Sequence, residues 1–253
     1  MYFLGLGIGI LGLTLLYNHY SQTFVRVLMY HKVSVNRSDE FTVTVNQLES
    51  QLAYLHKKGY QSITVDDLLR TKAPKKAVLI TFDDAYANNL ELAYSVLKKY
   101  KFRVTIFVPS AYIGKTSSWD KLAEPLLSVE QLQELDNEIF SLGLHSHFHQ
   151  SYENLSVDEI KNDLKHNINF FKHHNLSFVP ALAYPYGQRP KNGENQMAMY
   201  QIFKDLGIKL AFRIGNRLNG WPLKNHYQIQ RIDVRGTDSF NTFKRKLSWG
   251  KIV

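Results

Sequence analysis

Short apolar runs alternate with helix-patterned segments from Phe24 almost to the end of the chain, and that alternation narrows the folds open to it. "AVLITF" (77–82) is apolar without interruption, as a strand covered on both faces must be. "FVRVLMYHKVS" is β-rich from Phe24 to Val33, "RVTIFVP" (103–109), "IKLAFRIG" and "HYQIQRIDV" read as strands, "FSLGLHSH" (140–147) as a strand with its exit loop, and "FVPALAYPYG" (178–187) as a strand into a turn. Helical patterns lie between them. Leu48, Leu52 and Leu55 recur at helical spacing up to Gly59, and residues 88–100 and "MAMYQIFKDLG" are helical. Ser128–Gln131 and Ser156–Glu159 have capping-box spacing, the second opening a long amphipathic stretch, 156–175. Strands alternating with helices predict parallel strands joined by crossover helices. About seven such units predict an α/β fold, a distorted or incomplete (β/α) barrel, with an open doubly wound sheet as the alternative. The chain has 253 residues and 44 % apolar content, which suits one such domain over 24–253.

Residues 1–23 stand apart. Tyr2 to Tyr17 is almost wholly apolar, and no charged residue precedes Arg26. The run is a little short for a full span, and neither a basic start nor a small-residue cleavage site is evident. An uncleaved N-terminal membrane anchor is expected, with a processed signal segment second. Gly7 to Gly12 spells G-x-G-x-x-G, but no strand precedes it, so it predicts no dinucleotide site; Gly5 and Gly9 would equally let two membrane helices approach. The net charge of +9 favours anionic surroundings, such as a cell wall or membrane surface. The basic residues are scattered in pairs with no nucleic-acid motif, so a nucleic-acid partner is not expected. With no cysteine, disulfides and thiol chemistry are excluded. A monomer is expected.

In a parallel β/α architecture, ligands bind at the C-terminal ends of strands. Asp83 and Asp84 lie at such an end, as do His31, the group His145, His147 and His149, and Tyr186 between Pro185 and Gly187. Each has a plainer explanation. Adjacent acids often mark a helix start, as for Asp66–Asp67; His31 suits a core histidine bonded to backbone; "PYG" suits an ordinary turn. His145 and His149, four residues apart, could aim two imidazoles at one ion, although in an extended segment His147 would share their face. Two imidazoles and a carboxylate form a common divalent-metal set that leaves positions open for water and substrate. Zn²⁺ fits this ligand type best, and Co²⁺ or Ni²⁺ would also bind.

Taken together, Thr81-Phe82-Asp83-Asp84, His145-Ser146-His147-Phe148-His149 and Pro185-Tyr186-Gly187 resemble, in order and spacing, the motifs of the NodB-homology polysaccharide deacetylases, carbohydrate esterase family 4. The likeness covers about residues 25–250. "VLMYHKVS", "FTVTVNQLESQLAYLHKKGYQSITVDDLL" and "AYPYG" look closest to the cell-surface deacetylases of poly-β-1,6-N-acetylglucosamine, a biofilm adhesin. The resemblance implies that Asp84, His145 and His149 hold the metal, that Asp83 is the general base, and that the backbone N–H of Tyr186 helps hold the oxyanion. It implies removal of N-acetyl groups from a polymer of N-acetylglucosamine at the extracellular face. Peptidoglycan or chitin oligomers, or a catalytically weak carbohydrate-binding relative, are the alternatives. Where the family carries an arginine two residues before the proline, this chain has Ala183, and Arg231 is the candidate substitute. Leu223-Lys224-Asn225-His226 spells the family's L-x-x-H, but it precedes a predicted strand and is read as coincidence. His31 is then a candidate donor to the leaving amine, and His31, Pro185 and Arg231 are candidate substrate contacts.

Overall fold

The computed structural model describes residues 24–70, 76–191 and 193–250. The expected anchor and the Gly7–Gly12 pattern lie outside them. Among the described residues, no helix is long and apolar enough to cross a membrane.

Seven strands close into a ring. They are β1 (Phe24–Tyr30), β2 (Ala77–Asp83), β3 (Val104–Val108), β4 (Phe140–Leu144), β5 (Ala181–Ala183), β6 (Leu210–Ile214) and β7 (Ile229–Asp233). Each pairs in parallel with the next in sequence, and β7 returns to β1. The barrel is therefore closed. The β4–β5 join is the narrowest, with the one register pair Leu144–Leu182, and the β7–β1 seam has pairs at Leu28–Ile232 and Met29–Asp233, while Asn219–Gly220 runs antiparallel along the start of β1. Six α-helices are described: α1 (Val45–Lys57), α2 (Tyr94–Tyr100), α3 (Val129–Gln133), α4 (Val157–His173), α5 (Gly193–Asp205) and α6 (Phe240–Trp249). The Ser128–Gln131 and Ser156–Glu159 capping boxes are both formed, at α3 and α4. The structure differs from the sequence reading in three places. β1 ends at Tyr30, β5 keeps only three residues of the segment 178–187, and α6 has no counterpart among the predicted helices.

Strand alternation sorts the side chains into two cores. On β2, Val78, Ile80 and Phe82 face the helices, whereas Ala77 and Leu79 face the barrel axis. Thr81 and Asp83 share the axial parity. The same rule puts Phe107, Ala181, Ala183, Phe212 and Ile229 inside, where two large rings fill the space left by small neighbours. Continuing each axial row past the strand's C-terminal end reaches His31 after β1, Asp83 on β2, His145 after β4 and Asp233 on β7. All four line one cavity.

Gly143 on β4 makes this packing possible. A Cβ there would stand 2.6 Å from Cε1 and 2.7 Å from Cδ1 of Phe107. Phe107 is fully buried, with Phe212 at 5.5 Å and the Arg231 guanidinium at 5.7 Å from its ring. Gly143→Ala should therefore cost about 1–3 kcal/mol through overpacking, read as a lower urea midpoint. Adding Phe107→Leu should restore part of the loss.

Candidate active site

The cavity at the C-terminal ends of the strands has a volume of about 360 Å³. Asp83, Asp84, His145 and His149 form its floor, all buried. Trp119, Tyr186, Phe41 and His31 stand in its walls. The backbone departs from regular geometry where these residues converge. Among the described residues, nine non-glycine residues have positive φ, and five of them are Asp84, Ala85, Ser146, His149 and Tyr186. Such conformations cost on the order of 1–3 kcal/mol each and persist where the surroundings enforce them.

Asp83 closes β2 facing the axis, where Arg231 of β7 meets it. Arg231 Nη1 donates to Asp83 Oδ1 at 2.6 Å and Nη2 to Oδ2 at 2.7 Å, a two-pronged pair with both residues buried. Burial pushes the Asp83 carboxyl toward protonation. The Arg231 guanidinium, then His145, reverse this and hold it below the usual carboxylate range. Arg231 is wholly buried behind Asp83, so its contact is with the carboxylate rather than with a polymer in the cavity. Pro185 is also buried and does not line the cavity.

Asp84 faces two imidazoles. Its Oδ1 is 3.3 Å from His145 Nε2 and 3.1 Å from His149 Nε2, and the three ligand atoms lie within 4.8 Å of one another. His145 Nδ1 is 2.8 Å from the Ala183 carbonyl. A carbonyl only accepts, so Nδ1 carries the hydrogen and the neutral ring turns its Nε2 lone pair toward Asp84. Asp84 Oδ1 is buried with no hydrogen-bond partner. Two ligands held ~2.0–2.1 Å from one ion at the tetrahedral angle would stand about 3.3 Å apart. The donor set therefore fits a divalent cation in ligand type, burial and spacing. The electrostatics agree. Burial disfavours charge on His145, yet Asp83 and Asp84 raise its pKa; burial likewise opposes ionisation of Asp84, yet His149 and His145 hold it well below the usual range. Positive charge is drawn to the point where the three atoms meet.

His147 turns away from this point. Asn167 Nδ2 donates to Ser110 Oγ at 2.7 Å, and Ser110 Oγ shares a hydrogen bond of 2.8 Å with His147 Nδ1. Burial lowers the His147 pKa. Tyr186, with φ 57°, places its half-exposed ring 4.8 Å from that of His149. His31 lines the cavity with Phe41 packed edge-on at 5.4 Å, rather than lying in the core. His226 is exposed before β7, at the opposite end of the barrel, so its L-x-x-H spelling has no place in the site.

Sequence reasoning missed one wall. Trp119 stacks 4.1 Å from His149 and packs edge-on against Tyr112. The next residue, Asp120, anchors the Trp119 loop: its Oδ2 accepts from Tyr86 Oη at 2.7 Å, Ser117 Oγ at 2.8 Å and Lys32 Nζ at 3.2 Å. The available signal was a tryptophan beside a carboxylate in an otherwise polar loop.

The model of the family described as polysaccharide deacetylase matches residues 70–211. YxkH of Bacillus subtilis (strain 168), named for the same family, is 30 % identical over 213 residues, covering 82 % of this chain and 70 % of that one. The chain belongs to the polysaccharide deacetylase family. This deacetylase is thus a hydrolase acting on a polysaccharide. It is also 25 % identical to the poly-β-1,6-N-acetyl-D-glucosamine N-deacetylase of Staphylococcus aureus (strain MSSA476) over 222 residues, covering 83 % of this chain and 73 % of the relative. Among solved structures, IcaB from Ammonifex degensii superposes with a TM-score of 0.74 at 22 % identity, covering 90 % of this chain and 97 % of its own. Streptococcus pyogenes deacetylase PplD gives 0.72 at 22 %, covering 89 % and 99 %. These two likenesses establish the NodB-type fold.

Removing Arg231 alone would leave Asp83 buried and uncompensated. In the presence of a chelator, Arg231→Met should lower stability by about 3–5 kcal/mol, whereas Arg231→Met with Asp83→Leu should recover most of it. Urea unfolding of the two variants and the parent provides the measurement.

Proposed function

We propose that this deacetylase removes N-acetyl groups from a cell-surface polymer of N-acetylglucosamine, with the β-1,6-linked polymer of biofilm matrix as substrate. The observation that carries the chemistry is the juxtaposition of two carboxylates in different surroundings: Asp83 paired with Arg231, and Asp84 facing the Nε2 atoms of two imidazoles. The relative named for poly-β-1,6-N-acetyl-D-glucosamine supports the choice of polymer. Asp84, His145 and His149 would hold the cation. Zn²⁺ suits this set of nitrogen and oxygen ligands, as do Co²⁺ and Ni²⁺. When bound, the cation supplies Lewis acidity toward the acetamide carbonyl and acidifies water.

The chain supplies the rest. Asp83 takes a proton from the attacking water, and Arg231 keeps it ionised and fixes its plane. The water oxygen bonds to the acetamide carbon while the Tyr186 N–H donates to the developing oxyanion. His31 gives a proton to the leaving nitrogen as the C–N bond breaks, releasing acetate and an amine. The aromatic walls, Phe41, Trp119 and Tyr186, exclude water and receive the sugar faces. Residues 24–253 form the catalytic domain in this reading. Residues 1–23 fix it at the extracellular face as an anchor or export signal, where a charge of +9 suits an anionic wall.

Acetate release from β-1,6- and β-1,4-linked N-acetylglucosamine oligomers, each with and without chelator, tests the proposal. Chelator-sensitive release from the β-1,6 oligomers is expected. Release from β-1,4 oligomers alone would move the substrate to peptidoglycan or chitin, and none from either would leave a binding relative. Asp83→Asn should lower release by about 10²–10⁴-fold with the bound metal retained on elemental analysis.

A further inference from the structure

We propose that Asp163, a residue outside the three motifs, is a positioning residue that sets the loop 145–149 in its ligating conformation before any cation binds. This rests on reading Asp84, His145 and His149 as the metal ligands. Asp163 is on α4 and is 4 % exposed. Its Oδ1 accepts from Ser146 Oγ at 3.1 Å and from the backbone N–H groups of His147 and Phe148 at 3.0 Å each. Its Oδ2 accepts from the His147 N–H at 3.1 Å and from Tyr152 Oη at 2.8 Å. Every partner is a donor, and all but Tyr152 belong to the metal loop. Only an ionised carboxylate, with its several lone pairs and no hydrogen, matches such a set. An amide of the same shape would set an NH₂ group against other donors.

The loop requires such a clamp. Ser146 and His149 both have positive φ, 71° and 52°. Between them, the successive N–H groups of His147 and Phe148 converge on one point, forming an anion-binding concavity filled by the chain's own carboxylate. Ser146 Oγ also accepts from the His149 N–H at 3.0 Å, which extends the clamp to the second imidazole. The two ligand rings are held differently. His145 has the Ala183 carbonyl to orient it, whereas His149 Nδ1 has no hydrogen-bond partner. His149 therefore depends on its backbone and on packing against Trp119 and Tyr186. Asp163 itself stands on a rigid support. α4 begins with a capping box and buries Ile160, Leu164, Ile168 and Phe171, and Asn167, one turn on, donates to the Val108 carbonyl at the end of β3. The inferred chain of support runs from barrel to helix, from helix to carboxylate, and from carboxylate to metal loop.

The test is the affinity of the metal-stripped protein for Zn²⁺, measured by competition with a chromophoric chelator, together with the visible spectrum of the Co²⁺ form. Asp163→Asn should weaken Zn²⁺ binding by about 10–100-fold and alter the Co²⁺ bands. Tyr152→Phe, which removes one donor, should weaken it by about fivefold. Leu164→Ala perturbs the same helix from its core side and provides the comparison. It should lower the melting temperature yet leave Zn²⁺ affinity within about twofold, since its side chain makes none of the hydrogen bonds that hold the loop. Wild-type affinity in Asp163→Asn, or an equal loss in Leu164→Ala, would overturn the proposal. Should Asp163→Asn fail to fold, unchanged affinity in Tyr152→Phe overturns it and the fivefold loss supports it. A wild-type protein that binds no divalent cation would instead refute the metal-site reading and this proposal with it.

Discussion

Two neighbouring carboxylates buried at one strand end constrain everything around them. Asp83 and Asp84 would repel one another and lose their hydration, so each needs its own source of positive charge. In a regular strand they would also face opposite sides. The left-handed backbone of Asp84 and Ala85 removes that second obstacle by turning the chain immediately after β2, which brings both carboxylates to one cavity. Neutralisation then comes from different directions. Arg231 reaches Asp83 from inside the barrel, while the Nε2 atoms of His145 and His149 stand 3.3 and 3.1 Å from Asp84 Oδ1, where the proposed cation would supply the countercharge. The division of labour between a base and a ligand follows from this asymmetry.

Much of the fold was legible because burial writes itself into composition. The uninterrupted apolar run at 77–82 corresponds to a strand buried at every position, and the capping-box spacings at Ser128 and Ser156 mark real helix starts. β5 was overextended because Phe178 and Val179 are apolar for packing outside the strand, against the helix-side and axial cores respectively. α6 was missed because its pattern is short and mostly polar, with Phe243 and Leu247 as its buried residues. The same pattern reading left barrel closure open, since closure depends on pairing between β7 and β1 at opposite ends of the chain.

At the site, local sequence conveyed the Asp83–Asp84 pair and the His145–His149 spacing. It could not convey which carboxylate met which partner. Arg231 was legible only as a substitute for the arginine absent at Ala183, and the structure places it against Asp83 from a different strand. His147 shows the limit most directly. In an extended segment it would share a face with His145 and His149, but the left-handed turn at Ser146 breaks that alternation, and Ser110 takes its Nδ1. Trp119, Asp120 and Asp163 carried no motif because their importance lies in contacts with distant segments.

The Asp83–Arg231 pair joins residues 148 positions apart, and Arg231 belongs to the strand that closes the ring. During synthesis, β2 therefore leaves the ribosome long before its countercharge exists. Until β7 arrives, the growing chain has an open sheet edge at β1 and a carboxylate that resists burial. The last strand thus acts as a keystone. A chain broken off before it would lack the closing edge and the charge that lets the base enter the interior, so completion of the polypeptide and maturation of the reactive centre become one event.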